Sequence, residues 1–242
     1  MKKFILIGGP SRSATNTISM FLHLHDDVVV YGTAAGLHPK NEGMNFFDKL
    51  IGRTKGIQTC VRKDVKAREH LVAKKDLLQN DIGLIREKLV IALRWDYAES
   101  IFPLMLGIAH HHKRDLKMVV SLRNIADVFK SQYNQKEAFL YSKTEDAIKT
   151  FNTRIENSFI ILRDLKQKVA DKLLFVDITT SNAQYAYSAI LDFIGIDYSE
   201  LQDEWVRDLP TTNETDNWKD SIEYDVSHLE EMRLELLSME GR

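Results

Sequence analysis

Cysteine is almost missing from the chain: Cys60 is the single one among 242 residues. One thiol cannot close an intramolecular disulfide, which excludes a disulfide-stapled scaffold and fits a reducing compartment. Prolines number 4 and glycines 11, too few for a low-complexity or linker-rich chain. Positive charge is not in excess, since 33 Lys and Arg stand against 35 Asp and Glu for a net charge of -2. Without a positive field a general nucleic-acid binder or polybasic membrane binder is excluded, and only a local basic pocket is left. Long apolar runs are also missing, for none approaches the roughly 20 residues of a membrane span. The opening Met1-Lys2-Lys3-Phe4-Ile5-Leu6-Ile7 carries too short an apolar stretch for a signal core. The expectation is a cytoplasmic protein with no membrane span and no nucleic-acid partner.

What is present is an ordinary globular composition, 44% hydrophobic and 28% charged, at a length that suits one α/β domain with its own core. Short continuous apolar runs alternate with helical patterns. Strands are expected at 4–7, 28–31, 89–93, 116–122 and 173–176, each a run of the kind that fills a parallel sheet covered on both faces. Helices are expected at 15–25, 64–80, 97–112, 125–137, 145–169, 185–194 and 226–239. Pro103 marks a first turn or a kink. Over 145–169 the apolar residues Ile148, Phe151, Ile155, Phe159, Leu162, Leu165 and Val169 fall at spacings of three and four, one helix face. Gly195 ends the helix before it. Segments 32–43 and 209–225 read as loops. The alternation implies a three-layer, P-loop-like domain with a central parallel sheet flanked by helices.

Two places carry chemistry. The first is the loop after the first strand, Gly8-Gly9-Pro10-Ser11-Arg12-Ser13-Ala14-Thr15-Asn16-Thr17. A buried strand that runs through small residues into a helix aims backbone N–H groups and a helix N-terminus at one point, which favours phosphate or sulfate. Ser13, Thr15 and Thr17 add hydroxyls and Arg12 a charged fork. The plain alternative is a strand-to-helix turn capped by Ser or Thr. The loop is not a Walker A loop, because its lysine position is Thr15. The second place is Arg123-Asn124-Ile125-Ala126-Asp127-Val128-Phe129-Lys130-Ser131-Gln132-Tyr133. There an arginine ends a parallel strand, where open α/β sheets bind ligands, and Ser131 follows on a helix. The plain alternative is an arginine at the sheet end and a solvent-facing serine.

In these two segments the chain resembles the sulfotransferases that use 3′-phosphoadenosine 5′-phosphosulfate, in particular their bacterial and glycan-modifying branches. Their first loop reads G-x-P-[RK]-S-G-T-[TS]. Gly9, Arg12, Ser13 and Thr15 match it without a gap, while Ser11, Ala14 and Asn16 depart. If the Ala14 position needs a positive φ, its methyl group strains the loop. Their second segment reads R-[DN]-P-x-[DE]-x-x-x-S-x-[YF]. Arg123, Asn124, Asp127, Ser131 and Tyr133 match, and Ile125 replaces the proline. The resemblance extends over about 4–196, leaving a C-terminal loop and helix at 197–242 within a single domain, 1–242.

The resemblance implies that Arg12, Ser13, Ala14, Thr15, Asn16 and Thr17 hold the 5′-phosphosulfate. It implies that Arg123 and Ser131 hold the 3′-phosphate, with 3′,5′-adenosine bisphosphate as the product. It also implies a hydroxyl-bearing acceptor, most naturally a carbohydrate. Arg12 serves the leaving group. For the base, Glu42 in Glu42-Gly43-Met44-Asn45-Phe46-Phe47 is similar to the glutamate of the glycan enzymes. His38 is the second candidate and Asp96 the third. Arg94 could supply a further positive charge at the end of the third strand, or form a surface ion pair with its neighbours. No metal is expected: successive helical residues point about 100° apart, so His110-His111-His112 reads as a solvated helix end. Trp95, Trp205 and Trp218 read as core aromatics, with ring stacking as the alternative. Arg207 and Lys219 could close over a nucleotide. The competing functions are a nucleotide kinase or NTPase on a similar scaffold, and a binding protein that holds nucleotide without chemistry.

Overall fold

The structure is a computed structural model that describes residues 1–31, 37–39, 57–59, 68–80, 88–134, 144–178, 182–207 and 225–241. Among the described residues seven strands make one sheet: β1 (Lys3–Gly8), β2 (Val28–Tyr31), β3 (Leu37–Pro39), β4 (Ile57–Thr59), β5 (Val90–Arg94), β6 (Asp115–Ser121) and β7 (Leu173–Val176). They lie in the order β4-β3-β2-β5-β1-β6-β7. The central five, from β2 to β7, are parallel. At one edge β3 continues in parallel, and β4 turns back antiparallel.

The helices are α1 (Thr15–His23), α2 (Arg68–Asn80), α3 (Phe102–His111), α4 (Ile125–Asn134), α5 (Thr144–Lys168), α6 (Ala183–Ile194), α7 (Glu200–Arg207) and α8 (Ser227–Ser238). They cover both faces of the sheet, which is why its central strands carry near-continuous apolar runs. On one face Phe4, Leu6, Ile91, Leu93 and Val120 pack with Phe102, Phe129, Phe151, Phe159 and Leu236. On the other Ile5, Ile7, Ala92 and Val119 pack with Ile18, Phe21, Leu71, Tyr187 and Trp205. The α/β architecture expected from the alternation is the one observed.

Several local expectations hold for physical reasons. On α5, Phe151, Ile155, Phe159 and Leu162 are all buried. Gly195 closes α6 in the left-handed region at φ 65, and Lys3 and Lys117 donate to the carbonyls of Ile194 and Phe193 at that helix end, as its dipole favours. Pro103 sits in the first turn of α3, so 97–112 is not one helix: a 3-10 turn, Ala98–Ser100, precedes it.

Others are corrected. The segment 32–43 is not all loop, since β3 lies within it, and β4 has no counterpart in the sequence reading, because three-residue strands carry no periodicity. The helix α7 also went unread: its inward residues are Gln202 and Trp205, and Gln202 is buried through a hydrogen bond from Nε2 to the Phe21 carbonyl at 3.0 Å. Trp205 is a core residue, but Trp95 is 43% exposed, against its reading as core; Trp218 lies outside the described residues. His110 and His111 are exposed at the end of α3. Among the described residues no group of three His, Cys, Asp or Glu could hold a metal, and no helix is long and apolar enough to cross a membrane.

Candidate anion-binding site

The loop from Gly8 to Ala14 leaves the middle of the sheet and turns sharply into α1. Gly9 has φ 127, Arg12 φ 73 and Ala14 φ 69. Two non-glycine residues in the left-handed region within three positions cost about 1–2 kcal/mol each. Strain of this kind persists only where the surroundings impose it, and here they do. A Cβ on Gly9 would stand 2.3 Å from the Ser121 carbonyl oxygen, and one on Gly8 would stand 2.6 Å from the Ala98 Cβ. The loop therefore lies flush on the end of β6 and on the 3-10 turn. Ser13 donates from its amide and its hydroxyl to the Pro10 carbonyl at 3.1 and 2.6 Å. The Ser121 hydroxyl donates to the Ser13 carbonyl. No side chain caps the N-terminus of α1, whose cap residue is Ala14. A strained loop that opens into a helix without a capping oxygen is a backbone arrangement that favours an anion.

Helix α4 grips this loop with two adjacent residues. Arg12 Nε donates to Ser131 Oγ at 3.0 Å, and Gln132 Nε2 donates to the Ser11 carbonyl at 2.7 Å. Ser131 and Gln132 are buried, which sets aside the solvent-facing serine. The two sequence segments, 119 residues apart at this contact, thus meet. Beneath them the 3-10 turn is fixed to α5. The Ser158 hydroxyl donates to Glu99 Oε1 at 2.6 Å, and the Arg154 guanidinium lies 4.1 Å over the Tyr97 ring. Burial raises the Glu99 carboxyl above its ordinary range and pushes the Tyr97 phenol up to about 12. Tyr97 itself is at φ 59 and its amide donates to the Gly9 carbonyl at 3.0 Å.

On the other flank Arg94, at the end of β5, donates from Nε to Thr15 Oγ1 at 3.1 Å and from Nη2 to Asp96 Oδ1 at 2.8 Å. Arg94 is not a surface ion pair, since its side chain is 11% exposed. It carries positive charge and a partly exposed carboxylate to the start of α1. Past the end of β6, Arg123 is partly buried and stands 3.6 Å from Asp127, one turn along α4. Asn124 Oδ1 accepts the Asp127 amide at 3.2 Å and caps that helix.

Of the candidates, Arg12, Ser13, Ala14, Thr15, Asn16 and Thr17 form the loop and the first turn of α1, and Arg123 and Ser131 flank it from β6 and α4. Ser13 is turned inward and shapes the loop. Glu42 lies outside the described residues, and so does the His38 side chain, although its backbone pairs with Gln58 in the sheet. Gln132, Ser121 and Tyr97 were missed. Their contribution is a contact with loop backbone, and no residue pattern in the sequence announces one.

The fold has counterparts among solved structures. The sulfotransferase domain of the Synechococcus PCC 7002 olefin synthase aligns with 100% of this chain over 96% of its own length, with a TM-score of 0.53 and 12% identity. The sulfotransferase domain of the curacin biosynthetic pathway aligns with 98% over 98%, with a TM-score of 0.56 and 13% identity. The chain has the sulfotransferase fold. No family model and no curated protein matches it. In this sulfotransferase fold the strained loop occupies the central strand's end, with Arg94 toward β5 and Arg123 and Ser131 toward β6 and α4.

Proposed function

We propose that the chain is a sulfotransferase that moves a sulfuryl group from 3′-phosphoadenosine 5′-phosphosulfate to an acceptor hydroxyl. The observation that carries the reading is the Arg12–Ser131 contact at 3.0 Å. Two segments that each suit a phosphate, and that match opposite ends of one donor, lie side by side. The fit of the loop supports it too, because Gly9 leaves no room for a side chain and α1 begins without a capping oxygen.

When bound, the donor supplies a sulfuryl group carried on a phosphate leaving group. Arg12, the loop amides and the start of α1 neutralise the charge that grows on that phosphate oxygen as the S–O bond breaks. Thr15, Asn16 and Thr17 line the same end. Arg123 and Ser131 hold the 3′-phosphate and fix the nucleotide's register. Arg94 brings a second positive charge from the β5 side, the side left for the acceptor. The acceptor oxygen bonds to sulfur, and its proton passes to a base. Glu42 is the first choice for that base and His38 the second. Asp96, held by Arg94, is the carboxylate that the described residues bring to the loop. The products are a sulfate ester and 3′,5′-adenosine bisphosphate, and no metal is needed.

The acceptor class follows the resemblance, a carbohydrate hydroxyl in a cytoplasmic setting. A second reading is a hydroxyl on a non-carbohydrate biosynthetic intermediate, which is favoured by fold neighbours that belong to an olefin synthase and to the curacin biosynthetic pathway. The test is sulfate transfer to a panel of sugars and of simple hydroxylated acids. Product should form, and Glu42→Ala should abolish it without weakening bisphosphate binding. If neither Glu42→Ala nor His38→Ala slows transfer and Asp96→Asn does, the base is Asp96. Bisphosphate binding with no transfer to any acceptor would replace the enzyme by a nucleotide-binding protein.

A further inference from the structure

The C-terminal helix reaches the end of β6, past which Arg123 stands. Arg233 on α8 is buried, 6% exposed. Its Nη1 donates to the Leu122 carbonyl at 3.1 Å and to Asp177 Oδ2, just past β7, at 2.9 Å. Its Nε and Nη2 donate to Glu230 Oε1 at 2.9 and 2.6 Å. Glu230 in turn accepts Asn124 Nδ2 at 3.4 Å and the Ile125 amide at 3.1 Å. The residue before Arg123 and the two after it are therefore all held by one ion pair on α8.

That pair is more than a stabilising contact. Buried ion pairs contribute little net stability, because desolvation offsets their attraction. What they impose is geometry. Glu230 accepts the first amide of α4, at the helix end that favours negative charge, and Arg233 fixes the last carbonyl before Arg123. The backbone can then leave β6 in only one direction.

We propose that Glu230 and Arg233 are positioning residues for Arg123. They set the direction of its guanidinium and thereby the preference for a nucleotide that carries a 3′-phosphate. The inference rests on the donor reading above. Both residues lie outside the two sequence segments, 9–16 and 123–133, that match the sulfotransferase motifs.

The test is calorimetric titration of the full chain with 3′,5′-adenosine bisphosphate and with 5′-AMP, which differ by the 3′-phosphate alone. Arg123→Ala should cut the preference for the bisphosphate about thirtyfold, the loss of one charge-assisted phosphate contact. Glu230→Gln should cut the same ratio about tenfold and leave 5′-AMP affinity unchanged. The double variant should fall no further than Arg123→Ala, because Glu230 acts through Arg123. Arg233→Lys keeps the charge but loses the fork to Leu122; it should lower the ratio as well, and it carries the test if Glu230→Gln does not fold. A lower melting temperature with the ratio intact, or equal losses for both nucleotides, would overturn the proposal while leaving the donor reading in place. A wild-type protein that binds the two nucleotides equally would overturn both.

Discussion

Ala14 stands at φ 69 and ψ 14 in the turn into α1, where the resemblance has glycine. The sequence alone made this position the one to watch, and the backbone shows why: an alanine methyl there is strained, and Ser13, Ser121, Ser131 and Gln132 hold the loop against it. The left-handed penalty of about 1–2 kcal/mol exceeds the extra chain entropy that glycine loses on folding, about 0.5–1 kcal/mol. Ala14→Gly should therefore gain about 0.5–1 kcal/mol in urea denaturation, with bisphosphate binding no weaker. A loss of stability would mean that the alanine is not strained. Arg12, Thr15, Arg123 and Ser131 stand out in the sequence because they match two motifs of the resemblance at their spacing, and the structure brings Arg12 and Ser131 together. Gln132 was not, since its partner is the Ser11 carbonyl 121 residues away and any residue has a carbonyl.

Helix α1 and strand β2 are joined through buried polar groups that also titrate. His23 is 1% exposed, and its Nδ1 accepts the Val30 amide at 3.1 Å, which requires an unprotonated ring nitrogen. Lys74 on α2 donates to the carbonyls of His23, His25 and Val28 at 2.7, 2.5 and 2.5 Å and fastens the same turn. Burial first, then the Lys74 and His70 charges, holds the His23 pKa well below 6.5. The unfolded chain protonates this histidine as the pH falls through about 6.5 and the folded chain does not. The unfolded state then binds more protons, so stability falls as the pH falls, by at most about 1.4 kcal/mol per unit for one proton. Between pH 7 and 5 the wild type should lose at least about 1 kcal/mol more than His23→Gln in urea denaturation; equal losses would show that His23 titrates normally. At this scale long elements were legible and short ones were not. The amphipathic stripe of α5 spans six apolar positions from Ile148 to Leu165, whereas β3 and β4 are three residues each, and α7 turns a glutamine inward.

Across the whole molecule, strand order decides what the loop can do. With β1 between β5 and β6, the loop is flanked by Arg94 on one side and by Arg123 and Ser131 on the other, and the proposed function puts the nucleotide toward β6 and the acceptor toward β5. The layered α/β form was legible because strands covered on both faces carry near-continuous apolar runs. The closing of the β6 end by α8 was not, since it depends on contacts 105 to 111 residues apart that join a charged helix to a strand end. On the proposed function, this site takes a nucleotide with a phosphate at each end. Calorimetric titration with 3′,5′-adenosine bisphosphate, set against ADP with Mg²⁺, tests it most directly. Tight bisphosphate binding that weakens by about 2 kcal/mol or more in Arg123→Ala, with little affinity for ADP, is the predicted result. A preference for ADP with Mg²⁺ that is indifferent to Arg123 would contradict it and make the protein a nucleotide kinase or NTPase on this fold.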